Sequence, residues 1–341
     1  MSCDATRQAG SAKTLSESVV QAQVESAVAA LRAGELVAFA TETVYGLGAN
    51  AADAEAVRRV FELKGRPASH PLIVHLHSAQ QLPLWARDIS AAAHKLAAAF
   101  WPGPLTLVLP RAATVLDAVT GGQDTVALRV PAHPLARALL AAFAGGIAAP
   151  SANRYGRLSA TCAAHVRAEF GDAVAVVLDG GDCDLGVEST IVSCDAQRVQ
   201  LLRPGSITLS QLQAVVGPVS NGADAHSPRV PGSTLAHYSP RTPLQQVDPA
   251  QLAGLLAQRL AAGQRVGVLA RGPALWMHPE LVWIDAGAQA VSYAHDLYAN
   301  LRQLDQSGCA QLLVSRVPDD EVWDAVRDRL RRAATPSDLT A

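Results

Sequence analysis

Five apolar residues, Leu36 to Ala40, run unbroken into the polar triplet Thr41-Glu42-Thr43. A short apolar run bounded by polar residues and glycines predicts a buried strand. Helical spacing follows over 53–63, with Asp53 as N-cap. The alternation then predicts a strand at 71–76, helices near 78–86 and 90–100, and a strand at 105–110. Further strands are read from "DTVALRV" (124–130), "GIAAPSAN" (146–153), "AVAVVLD" (173–179), "STIVS" (189–193) and "VQLLRPG" (199–205). Between them lie a helix over 134–143 and another opened by Thr161. Strands outnumber helices in this half, which predicts a mixed sheet with helices packed on it.

Residues 217–243 carry five prolines and no apolar periodicity, so they read as a linker, and one of that length is either disordered or functional. After it come a helix at 249–262, strands at 265–270 and 281–285, a helix at 289–305, a strand at 311–315 and a helix at 319–333. The expected fold class is therefore α/β: a mixed twisted sheet with packed helices and an open cleft over 14–216, the linker over 217–243, and a smaller Rossmann-like α/β domain over 244–335. The second domain has no G-x-G-x-x-G and is assigned no dinucleotide. The first dozen residues read as a disordered tail.

Composition narrows the classes. The 341 residues are 49% hydrophobic and 17% charged. The longest apolar candidate, "PLARALLAAFAGGIAAP", carries Arg137, so no membrane span is expected. No basic start precedes an apolar segment at the N-terminus, which points to a cytoplasmic protein. Five cysteines show neither C-x-x-C nor zinc spacing and read as buried thiols; no protein-held metal site is expected. Net charge is 28 minus 30, or −2, which argues against a general electrostatic grip on nucleic acid. Only three of the 28 basic residues are lysines, so Lys64 in a special place is not a default choice.

Polar clusters recur at strand ends: Thr41-Glu42-Thr43, Lys64-Gly65-Arg66-Pro67, Pro150-Ser151-Ala152-Asn153, Glu188-Ser189-Thr190 and Arg203-Pro204-Gly205. Ligands in open α/β sheets bind where such loops converge. Lys64, Arg66, Arg129 and Arg203 with Ser and Thr hydroxyls form an inventory for phosphoryl or nucleotidyl transfer, which needs positioned cations more than acid/base groups. Walker A, H-E-x-x-H and G-x-S-x-G motifs are absent. "KGRP" also fits a helix C-cap with Gly65 left-handed, and both readings can hold together. His75 alternates with apolar neighbours in "LIVHLH", the pattern of a core or edge histidine.

Taken together, "TETVYGLGAN", "KGRPASHPLIVHL", "WPGPLTLVL", "DTVALRVPAHPLA", "IAAPSAN", "GVESTIVS" and "LLRPGSIT" resemble, in order and spacing, the YrdC-like threonylcarbamoyl-AMP synthases. The domain behind a Pro-rich linker resembles the long form of that family. The resemblance implies a nucleotidyltransferase that converts L-threonine, bicarbonate or CO2, and ATP with Mg²⁺ into L-threonylcarbamoyladenylate and pyrophosphate. It implies further that the product feeds the machinery that modifies tRNA adenosine next to the anticodon, and that direct tRNA binding by the synthase is not required. Thr41, His75, Arg129 and Ser189 match the threonine side. Lys64, Arg66, Thr125, Ser151, Asn153, Ser159 and Arg203 match the ATP side, with Lys64 and Arg66 at the phosphates. The linker, with His237 and Tyr238, matches a lid. Two departures stand out: Ala40 where relatives commonly have Pro, and Leu235 where many have an aromatic residue. Competing readings are an RNA-binding module, a hydrogenase-maturation carbamoyl-transfer domain, whose zinc-finger cysteine pairs are missing here, and a regulatory ATP-binding protein.

Overall fold

The computed structural model describes residues 17–335 except 233 and 235, so the expected N-terminal tail and the departure at Leu235 lie outside the described residues. The chain forms two compact units. The first contains the chain up to Arg154, then 160–184 and 188–233; the second contains 155–159, 185–187 and the chain from Thr234 onward.

The first unit runs α1 (Glu17–Arg32), β1 (Val37–Phe39), β2 (Gly46–Asn50), α2 (Ala54–Lys64), β3 (Ile73–His75), α3 (Leu82–Trp85), α4 (Ala91–Phe100), β4 (Leu105–Pro110), α5 (Asp117–Thr120), β5 (Thr125–Arg129), α6 (Pro134–Phe143), β6 (Ile147–Ala148), α7 (Ala163–Phe170), β7 (Val176–Leu178), β8 (Thr190–Cys194), β9 (Val199–Arg203), α8 (Leu209–Val216) and β10 (Ser220–Asn221). Its ten strands form one mixed sheet in the order β10-β9-β8-β4-β5-β3-β6-β2-β1-β7. Helix α1 was not anticipated, although Val24, Ala27, Val28 and Leu31 recur at helical spacing and are buried. Asp53 does cap α2, accepting from the amides of Glu55 at 2.9 Å and Ala56 at 3.1 Å. The helix read from Thr161 instead begins at Ala163 after Cys162.

Paired residues on neighbouring strands point to the same side of a sheet, so the register sorts the two faces. One face carries Leu47, Val74, Leu107, Leu128 and Val192, packed with Val57, Val60, Leu96 and Leu212 of α2, α4 and α8. On the other face, Val37, Phe39, Ile147 and Ala149 are covered by Val24 and Leu31 of α1 and Leu139 and Leu140 of α6. Farther along that second face the register pairs His75 with Arg129, and Ile191 with Arg203. This is where polar side chains enter the core.

The second unit holds β11 (Leu244–Val247), α9 (Pro249–Ala261), β12 (Val266–Ala270), β13 (Leu281–Asp285), α10 (Ala290–Asp305), β14 (Gln311–Ser315) and α11 (Asp324–Ala333). Its sheet is wholly parallel, in the order β11-β14-β12-β13. Leu252, Leu256 and Leu260 of α9 pack on Val266, Val268 and Leu313. Cys162, Cys183, Cys194 and Cys309 are buried thiols. No helix among the described residues is long and apolar enough to cross a membrane.

The second face of the large sheet depends on missing side chains. A Cβ on Gly48 would lie 2.8 Å from Ile147 Cγ2 and 2.9 Å from Phe39 Cε1. The Phe39 ring occupies that space and meets the His75 ring edge-on, with centroids 5.8 Å apart. Gly48→Ala is expected to destabilise the chain by about 1–3 kcal/mol through overpacking. Denaturant unfolding measures it, and an unchanged midpoint would refute this account of Gly48.

Candidate active site

Arg129, the last residue of β5, is buried and engaged on three sides. Its Nη2 lies 2.8 Å from Glu42 Oε1, its Nη1 donates to Thr43 Oγ1 at 2.8 Å, and its Nε donates to the Gly103 carbonyl at 3.3 Å. Thr41 closes the turn after β1: its hydroxyl donates to the Val44 carbonyl at 2.6 Å and accepts from the amides of Thr43 and Val44. The two threonine hydroxyls are 2.9 Å apart. With the Thr41 proton committed to Val44, the Thr43 hydroxyl donates to Thr41 and receives from Arg129. The polar triplet after the buried strand is thus a lining for a buried guanidinium.

Burial alone would raise the Glu42 pKa, but the Arg129 charge, with the Ala132 amide, holds it below the ordinary carboxylate range. The Ala132 amide donates to Glu42 Oε2 at 3.1 Å. The pair is ionic rather than well aligned: neither Arg129 Nη2 nor Glu42 Oε1 has a hydrogen-bond partner of good geometry. An incoming carboxylate can therefore be served by Nη2 without breaking an aligned bond.

His75 lies one strand away, in register with Arg129. Burial, then the Arg129 charge, push its pKa down to about 3, so it is a neutral imidazole at physiological pH. Its buried Nδ1 has no hydrogen-bond partner. On the strands beyond, the Ser189 hydroxyl lies 2.7 Å from that of Thr106. Arg203, at the end of β9, donates to the Ser189 carbonyl from Nε at 3.2 Å and Nη2 at 2.9 Å, and to the Pro231 carbonyl from Nη1 at 2.8 Å. It ties the start of β8 to residue 231.

The second cation group sits at the end of α2. Gly65 has a φ of 64° and caps the helix, while Lys64 is buried and donates through Nζ to the carbonyls of Ser151, at 2.6 Å, and Asn153. The helix C-cap reading of "KGRP" therefore holds, with Gly65 left-handed at the end of α2. Arg66 donates from Nη2 to the Pro71 carbonyl at 3.0 Å. Burial, then the neighbouring Arg66 charge, push the Lys64 pKa well below the ordinary lysine value, with Glu169 and Glu188 opposing.

The structure thus brings Thr41, His75 and Arg129 together, and joins Ser189 to Arg203. Lys64 meets the backbone of Ser151 and Asn153, and the field of Glu188 links it to the Ser189 loop. His75, Arg129 and Arg203 each end a strand; of these only Arg203 is among the polar clusters read at strand ends, and His75 reads from its pattern as a core or edge histidine. Thr125 is the exception, at the opposite end of β5 from Arg129, about 13 Å along a strand rising roughly 3.3 Å per residue. Ser159, His237 and Tyr238 belong to the second unit, where all three are buried. Thr43 belongs to the polar triplet that the sequence singles out, without a partner assigned to it, whereas Thr106 is not singled out. The signal for Thr106 was present, since it is the one polar residue in the otherwise apolar run "LTLVL".

Residues 29–205 match the Sua5/YciO/YrdC family model, described as telomere recombination, and residues 207–335 match the threonylcarbamoyl-AMP synthase C-terminal domain. The threonylcarbamoyl-AMP synthase of Pyrococcus abyssi is 39% identical over 93% of this chain and 96% of its own length. The chain belongs to the threonylcarbamoyl-AMP synthase family. The Bacillus subtilis synthase is 41% identical, with 92% of this chain and 93% of the relative covered. The crystal structure of P. abyssi Sua5 complexed with L-threonine superposes with a TM-score of 0.85 at 39% identity, covering 91% of this chain and 94% of that one. A threonylcarbamoyl-AMP synthase forms an adenylate, so its site must stabilise a phosphorus centre and a leaving polyphosphate. Buried cations at the end of a helix suit that demand.

Because the folded pKa of Glu42 is depressed, its pairing with Arg129 adds stability above the unfolded value near 4.5 and loses it as pH falls through the folded value. Denaturant unfolding at pH 7 and pH 4 is expected to show a smaller acid loss for Glu42→Gln than for the parent chain. Arg129→Met, which leaves a buried carboxylate unpaired, is expected to cost about 3–5 kcal/mol at pH 7. A cost near zero would contradict the buried pair.

Proposed function

We propose that this chain condenses L-threonine, bicarbonate or CO2, and ATP into L-threonylcarbamoyladenylate and pyrophosphate, in the cytoplasm. The observation that carries this reading is a buried arginine with an unaligned Nη2, beside a neutral histidine, on the same sheet unit as the buried Lys64 and Arg66. Arg129 suits the threonine carboxylate, while Thr41, His75 and Ser189 line the same side and offer polar groups without charge. Lys64 and Arg66 suit the phosphates of ATP, with Ser151, Asn153, Ser159 and Arg203 about the nucleotide and Thr125 the least supported of that set.

In the proposed reaction the threonine amine and bicarbonate form a carbamate with loss of water. A carbamate oxygen then bonds to the α-phosphorus as the bond to the pyrophosphate oxygen breaks. Lys64, protonated against the phosphates, and Arg66 take up the charge that develops on the leaving group. Mg²⁺ would enter with ATP; a hard cation takes oxygen ligands, and the groups about Lys64 include the carbonyls of Ser151 and Asn153 and the carboxylate fields of Glu169 and Glu188. The ion would neutralise part of the phosphate charge. Glu42 is a poor general base here, because its pairing with Arg129 makes it a weaker proton acceptor. Carbamate and mixed anhydride are both labile in water, which gives a closing segment with His237 and Tyr238 its purpose. A tRNA threonylcarbamoyl transferase system would consume the product.

Pyrophosphate release tests the reading. Release from ATP is expected to require both L-threonine and bicarbonate, and to fall on the order of a hundredfold or more in Lys64→Ala. Release that ignores threonine would overturn it.

A further inference from the structure

The second unit contains more than the C-terminal domain. Two short strips from earlier in the chain, 155–159 and 185–187, cluster with it, as does the stretch from Thr234 that leads into β11. The first strip begins two residues after Asn153 and ends on Ser159. The second ends immediately before Glu188 and Ser189. The first two flank or contain residues assigned above to substrate, and the third carries His237 and Tyr238, assigned above to a lid.

Each strip is fixed to the unit by identifiable contacts. Arg302, in the last turn of α10, donates to the Leu158 carbonyl at 2.6 Å. Gly186, with a φ of 71°, rests on the backbone of the same helix: a Cβ there would lie 2.2 Å from the His295 carbonyl oxygen and 2.5 Å from that of Ala294. Only glycine meets both the conformation and the space. On α11, Arg332 donates from Nε to both oxygens of Asp328, at 3.0 and 3.1 Å, and from Nη1 to the Thr234 carbonyl. Its own carbonyl accepts from the His237 amide at 3.3 Å. Tyr238 follows with a φ of 60°, a strained conformation for a bulky residue that persists only where its surroundings hold it. Its ring lies 5.4 Å from the Arg329 guanidinium carbon and 5.8 Å from the Tyr298 ring. The Ser239 amide donates to the Gly156 carbonyl at 2.8 Å, which ties the first strip to the third.

We propose that α10 and α11 form a rack that sets these three strips, and that Gly186, Arg302 and Arg332 are positioning residues for the synthase reaction. The proposal rests on the synthase reading for its consequence but not for its geometry. A rack of this kind gives the long form of the enzyme a use for its extra domain that requires no ligand of the domain's own. It holds the ends of loops whose other ends carry Asn153 and Ser189, so a loosened strip shows in turnover.

The test compares two arginines that share one carboxylate. Arg331, largely exposed, also pairs with Asp328 at 3.0 Å but reaches none of the strips. Amide hydrogen exchange on the full chain reads the placement, and pyrophosphate release reads the consequence. In Arg332→Gln the amides of His237 and Ser239 are expected to exchange at least about tenfold faster, with kcat/KM lowered by about tenfold to a hundredfold, as misplacement of positioned groups commonly costs. Arg331→Gln is expected to leave both unchanged, and Gly186→Ala to lower kcat/KM with the unfolding temperature of the large sheet kept. Equal behaviour of the two arginine variants, or unchanged exchange in Arg332→Gln, overturns the rack. Should Arg332→Gln fail to fold, Arg332→Lys carries the same comparison, because it keeps the charge opposite Asp328 but has no fork to reach the Thr234 carbonyl. If the parent chain shows no threonine-dependent release, the synthase reading falls while the exchange result still decides the rack.

Discussion

A buried guanidinium governs the large sheet. Arg129 stands on a sheet face among side chains that exclude water, where an unpaired charge would cost several kcal/mol. The fold answers with Glu42, Thr43 and the Gly103 carbonyl, drawn from the turn after β1 and from the turn before β4. Neither turn can move without exposing the charge to an environment that does not solvate it. The position of the triplet, the closed Thr41 turn and the register of β3 against β5 all follow from keeping one cation in place with Nη2 left short of an aligned bond.

The two faces of the sheet divide the labour. The first is predominantly apolar and packed by α2, α4 and α8, which supplies the burial that any domain of this size needs. That surplus lets the second face carry Arg129, Arg203, His75 and Ser189 at residues where a purely structural sheet would place leucine or valine. Small residues complete the arrangement. Gly46 and Gly48 leave room for the Phe39 ring, and that ring supports His75 from one edge, which keeps the imidazole in an apolar setting and therefore neutral. A cation at His75 would compete with Arg129 for an anionic ligand; a neutral ring does not.

The element pattern was largely legible in the sequence, because apolar runs and their spacing report burial directly. The α2 cap at Asp53 and the Gly65 terminus were readable from residue type alone. Helix α1 escaped because the reading began at the strand after it, though its own apolar spacing was clear. Harder to read was what lies across strands. That Thr43 bonds Arg129, 86 residues away, or that Thr106 meets Ser189, 83 away, is a fact of register, and register is not written in any local window. The strips 155–159 and 185–187 show the same limit: nothing in "GRLS" or "LGV" announces that they cluster with residues a hundred positions later. Gly186 was quoted within a motif, but its reason, the backbone of α10 pressed against it, appears only in three dimensions.

Lys64 completes the electrostatic picture. Burial, then the Arg66 charge, disfavour an ammonium at Lys64 despite its two carbonyl acceptors. A polyphosphate reverses both penalties at once, since its charge outweighs Arg66 and its oxygens replace water as acceptors. In the proposed reaction, anion binding and protonation of Lys64 would then be linked, each strengthening the other by the same factor. The Arg129 group is built on the opposite plan, with its guanidinium already paired to Glu42. One buried cation is thus matched by a carboxylate within the fold, and the other is held by carbonyls alone.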